Sequence, residues 1–79
     1  MKVYTIKFTM VYADGSSSFS SSGNPSEEKI RSDFYEKLKE TVAEENVFHV
    51  YAVFYVNRDE VVDTITLSGA EEINIFLEG

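Results

Sequence analysis

The chain opens on strict alternation. Tyr4, Ile6, Phe8, Met10 and Tyr12 fall on one side, and Val3, Thr5, Lys7, Thr9 and Val11 on the other. A period of two marks a strand with one buried face. Asp14-Gly15 follows, and both residue types tolerate the positive φ of a two-residue hairpin turn. Pairing Ala13 with Ser16 sets Met10 opposite Phe19, so the one large apolar residue of the serine-rich return segment is expected on the core face. The weak apolar content of that segment predicts an edge strand.

Asn24-Pro25-Ser26-Glu27 reads as a helix start, with Asn24 as cap, Pro25 in the first helical position and Glu27 completing a capping box. Ile30, Phe34, Leu38 and Val42 then recur every four residues as one apolar stripe. Glu27–Arg31 and Asp33–Lys37 are attractive pairs at the same spacing. The helix is expected to run to about Glu45, with Asn46 ending it.

Residues 47–56 are almost continuously apolar. Phe48, Val50, Ala52, Phe54 and Val56 form one side of a predicted central strand, and His49, Tyr51, Val53 and Tyr55 the other. A turn centred on Arg58-Asp59 sets Asn57 opposite Glu60. Ala52 then meets Ile65, Val50 meets Leu67, and His49 meets Ser68. In the same register Asp63 falls opposite Phe54, the one polar residue on the core side. After a turn near Gly69, a last strand is expected, with Ile73, Ile75 and Leu77 inward and Phe76 outward. The order is β-β-α-β-β-β. The fold class is α+β: an antiparallel sheet of four to five strands with one helix packed on one face, in a single domain over residues 1–79.

Composition narrows the function. The chain has 79 residues, no Cys and a net charge of −7. Without Cys there is no disulfide framework and no thiolate metal site. An acidic chain is ill suited to nucleic acid or an anionic membrane, both of which attract Lys and Arg, so neither is expected as a direct partner. No apolar run reaches the length of a membrane span, and the N-terminal residues lack the apolar core of a signal peptide. A cytoplasmic location is expected.

Catalytic provision is thin. His49 is the one histidine, and its register opposite Ser68 would allow a Ser–His pair. An exposed strand-end histidine with no catalytic role is the preferred reading. No phosphate loop, metal-ligand spacing or cofactor motif is present, and Pro25 blocks Asn24-Pro25-Ser26 as a glycosylation site. The chain is expected to be no enzyme, with no cofactor and no metal.

The acids are more informative. Tracing each element's direction gathers Asp14, Glu40, Glu44, Glu45, Glu71 and Glu72 at one end and Lys2, Lys29, Arg31 and Arg58 at the other. Glu40, Glu44 and Glu45 lie at the helix C-terminus, where the backbone dipole favours cations. A local rule broken without compensation is a common signature of a functional surface. The alternative is a solvated acidic surface. The second candidate surface is the uncovered sheet face, with His49, Tyr51, Tyr55 and Phe76. Its aromatics suit a dimer or partner interface, or cross-strand pairs on a wet sheet.

In size, charge and lack of cofactor motifs the chain resembles the small phage-encoded proteins that block host defences, anti-CRISPR proteins among them. That resemblance implies an inhibitor or nucleic-acid mimic whose carboxylates occupy the basic groove of a nucleic-acid-binding protein. The alternative is a homodimeric or accessory assembly module joined through the open sheet face. The expected partner is a protein with a basic surface, and the expected state a monomer or homodimer.

Overall fold

The computed structural model describes residues 2–79. Four strands, β1 (Tyr4–Tyr12), β2 (Ser17–Asn24), β3 (Val47–Val56) and β4 (Glu60–Ser68), form one antiparallel sheet in the order β2-β1-β3-β4. Helix α1 (Glu27–Glu44) follows β2, and helix α2 (Gly69–Glu78) follows β4. The chain is thus α+β, built as two successive ββα units whose first strands, β1 and β3, pair at the centre of the sheet.

The core lies on one face of the sheet. Ile6, Phe8 and Met10 of β1, Val50, Ala52 and Phe54 of β3, and Leu67 of β4 share a buried cluster with Ile30, Phe34 and Leu38 of α1 and Ile73 of α2. Phe34 sits at its centre, edge-on to Phe8 and Phe54 at ring distances of 5.2 and 5.9 Å. Such pairs add about 1 kcal/mol each beyond the area they bury.

The expected fifth strand is a helix. Ile73, Phe76 and Leu77 recur at the i, i+3, i+4 spacing of one helical face, whereas Ile75, expected inward, is 62% exposed. Gly69 takes the left-handed φ of +85° that turns the chain out of β4, and the Glu72 carboxylate accepts the Ser68 N–H at 2.9 Å. Phe76 therefore packs on Phe34 and Tyr35, on the core side and away from the open sheet face where it was expected. The Tyr35 hydroxyl donates to the Leu77 carbonyl and ties the two helices together.

The first hairpin is offset by one residue from its expected register. Its loop has three residues, Ala13-Asp14-Gly15, closed by the Tyr12 N–H donating to the Ser16 carbonyl at 2.8 Å, with Gly15 at φ +90°. Met10 consequently faces Ser18, and Phe19 faces Thr9. A one-residue slip moves every side chain of a strand to the other face. Ser18, Ser20 and Ser22 thus lie toward the helices, and Phe19 stands 66% exposed on the open side.

A bulge opposite Val11 and Tyr12 produces the next difference. Tyr12 pairs with Val47, so Val47 is buried and Phe48, expected inward, is 62% exposed. A bulge re-aims one side chain in this way at a strand end.

At α1, Ser26 rather than Asn24 is the cap. Its hydroxyl accepts the Lys29 N–H, while Asn24 accepts the Ser26 N–H one step earlier. Glu27–Arg31 forms as expected, and Asp33 pairs with Lys29 at 2.9 Å in place of Lys37. The β3–β4 register matches expectation from His49–Ser68 to Phe54–Asp63. Nearer the turn, Tyr55 pairs with Val61 across a second irregularity. Asp63 finds its partner in Arg31, whose guanidinium lies 2.9 Å from its carboxylate and 4.6 Å from the centre of the Phe54 ring.

Candidate functional site

Three of the six expected acids converge. Asp14 sits in the β1–β2 loop, while Glu44 and Glu45 end α1. The Ala13 N–H donates to the Asn46 carbonyl at 2.9 Å, which holds loop and helix end side by side. Asp14, Glu44 and Glu45 thereby line one shallow hollow of about 330 Å³ with Tyr12, Ala13 and Asn46. All three are exposed, and none of them forms a salt bridge among the described residues.

Asp14 is held in its charged form. Its carboxylate accepts the Ser16 hydroxyl at 2.6 Å and the Ser16 N–H at 2.9 Å, which lowers its pKa below the usual aspartate value. Asp14 therefore keeps its charge to lower pH than an ordinary aspartate.

Glu40, Glu71 and Glu72 do not line that hollow. Glu71 and Glu72 occupy the first turn of α2, where the helix dipole favours acids, and Glu72 caps Ser68. With the last segment helical, these two acids obey the local rule. The conflict narrows to the end of α1, which has no basic residue in its last turn.

The open sheet face presents His49, Tyr51 and Tyr55 as expected, without Phe76. Phe19, Thr9, Tyr51 and Thr66 form one row across all four strands. Phe19 and Tyr51 are both exposed and flank the small Thr9. Lys7 stands 5.5 Å from the centre of the Tyr55 ring. Phe19 was missed as a surface residue because its facing depends on the loop length, which Asp14-Gly15 leaves open between two and three residues.

His49 Nδ1 and the Ser68 hydroxyl are 3.2 Å apart. The pair is exposed, and among the described residues nothing bonds the other ring nitrogen to orient the imidazole for catalysis. Among the described residues no group of three or more His, Asp or Glu side chains is placed to hold a metal ion, and no helix is long and apolar enough to cross a membrane.

Comparison with protein-family models, with curated proteins and with solved structures gives no match to this chain.

Proposed function

We propose that this chain is a non-catalytic binding module that engages a basic protein surface through its acidic end. In this reading it acts as an inhibitor or nucleic-acid-mimicking decoy of the anti-CRISPR type. The observation that supports this is the convergence of Asp14, Glu44 and Glu45 on one hollow, with no salt-bridge partner among the described residues. Carboxylates substitute for phosphates in charge-assisted contacts with Arg and Lys. A net charge of −7 speeds encounter with a basic partner.

The test is capture of partners from a cell lysate at low and high salt, beside the Glu44→Gln/Glu45→Gln variant, followed by competition with duplex DNA. A partner displaced by salt, by the variant and by DNA supports the decoy reading. A partner retained through all three rejects it.

A second reading rests on the exposed Phe19–Thr9–Tyr51 row, which suits an apolar interface for assembly. Partner binding or self-association lost in Tyr51→Ala or Phe19→Ser, yet indifferent to salt, would favour it.

A further inference from the structure

The two sheet edges differ. The edge of β4 carries Glu60, an irregularity at Val62 and the inward-leaning Asp63, devices that natural sheets use against unwanted strand pairing. The edge of β2 has none. Over Ser17–Asn24 it contains no charge, no proline and no bulge, in a chain that is 27% charged.

The pairing shows which backbone groups this edge offers. The Tyr12 N–H donates to Ser16, so alternate pairs, Met10–Ser18, Phe8–Ser20 and Ile6–Ser22, are the bonded ones. The N–H and C=O groups of Ser17, Phe19, Ser21 and Gly23 therefore point outward. No strand of the described residues pairs with them.

The core is thinly covered on this side, where Ile6, Phe8 and Phe34 lie buried at the floor of a surface hollow. Because β2 presents serines to it, a hollow of about 270 Å³ remains between β2 and α1, with Ile6, Phe8 and Phe34 in its lining. Asp33 and Lys37 of α1 and Ser20 and Ser22 of β2 complete that lining. Glu40 and Glu44 continue the same flank of α1 toward the Asp14 end, so the groove is apolar midway and acidic at its upper end.

We infer that this groove binds an extended segment of a partner protein, added antiparallel to β2 as a fifth strand. One aliphatic or aromatic side chain of the segment enters the hollow of Ile6, Phe8 and Phe34. Such an added strand runs toward the acidic end. Side chains on its α1 side recur every second residue at about 3.4 Å per residue, so a Lys or Arg about four residues after the anchor reaches Glu44 and Asp14. The inference rests on the acidic-end reading only for that basic residue. The edge and the hollow stand without it.

The probe is a panel of blocked peptides of about ten residues, patterned Thr-Val-Thr-Leu-Thr-Val-Thr-Arg-Thr-Lys. The anchor Leu is varied to Ile, Val, Phe, Met and Ser, and in a parallel set Arg and Lys become Gln. Binding is followed by amide NMR. The expected result is saturable binding that is lost with Ser at the anchor, with the largest shifts at the Ser17, Phe19, Ser21 and Gly23 amides. Ser21→Pro removes one outward N–H while sparing the ladder to β1, and should weaken binding at least about tenfold with the protein still folded. Ser20→Leu should fill the hollow, raise the melting temperature and abolish binding.

The proposal falls if no peptide binds below about 1 mM, if Ser21→Pro and Ser20→Leu bind normally, or if the shifts map to Tyr51 and Tyr55. It also falls if the free chain dimerises through these same four amides, since a second copy would then be the occupant. Binding that depends on Arg, Lys, Glu44 and Glu45 but not on Ser21 or Ser20 would overturn the groove and leave the acidic-end reading intact. Binding that depends on Ser21 and Ser20 but not on charge would do the reverse.

Discussion

The Arg31 guanidinium stands 2.9 Å from the Asp63 carboxylate and joins a core-side acid of β4 to the helix beside it. Both side chains are more than a third exposed, so solvent screens the attraction. A double-mutant cycle of Arg31→Gln and Asp63→Asn, measured by urea unfolding, should return a coupling of about 0.5–1 kcal/mol that shrinks in high salt. Arg31→Gln alone should cost more than Asp63→Asn, because it also uncovers the Phe54 ring.

The hairpin register predicts opposite outcomes at two neighbouring side chains. Met10 is buried and Phe19 is exposed. Met10→Ala should cost about 2–5 kcal/mol, whereas Phe19→Ser should stay within about 0.5 kcal/mol of the parent. Equal losses in chemical denaturation would place Phe19 in the core and overturn the three-residue loop.

The last segment carries a similar contrast. Ile73→Ala and Phe76→Ala should each destabilise by about 2–4 kcal/mol, while Ile75→Lys should be nearly neutral because Ile75 points to solvent. A strand with Ile73, Ile75 and Leu77 inward would show the reverse at the last two positions.

Asp14 should titrate below an ordinary aspartate when followed by carboxyl NMR, because the Ser16 hydroxyl and N–H stabilise its charged form. The depressed pKa sets the sign of the linkage. Its contribution to stability is fully present above the ordinary aspartate value and is lost as pH falls through the lowered one. Ser16→Ala should move the midpoint upward, since the hydroxyl bond is the larger cause.

Arg58 has φ +77° and follows Asn57 at +54° in the β3–β4 turn. Left-handed backbone costs a residue with a Cβ about 1 kcal/mol relative to glycine. Arg58→Gly should therefore raise stability by a few tenths to about 1 kcal/mol in thermal unfolding, provided that the turn is retained.

Local pattern was enough to determine β1, α1, β3 and β4, because each repeats an apolar period over many residues. It also determined the face on which Tyr51 and Tyr55 lie and the pairing of His49 with Ser68, since two long alternating strands permit few registers. It brought Asp14 to the same end as Glu44 and Glu45, as the directions of β1 and α1 require. Three things were left to the tertiary structure. The facing of Phe19 turned on one residue of loop length, which the bonding of Tyr12 to Ser16 decided. The bulge at Val11/Tyr12 chose Val47 over Phe48 for the core, a choice made by the partner strand and invisible in residues 47–56. The segment after Gly69 satisfies both periods, two and 3.6. Only the place beside Phe34 and Tyr35, where Phe76 and Leu77 dock together, selects the helix. The first outcome depends on a hydrogen bond across the loop and the other two on contacts between residues distant in the chain, and the spacing of apolar and polar residues specifies neither.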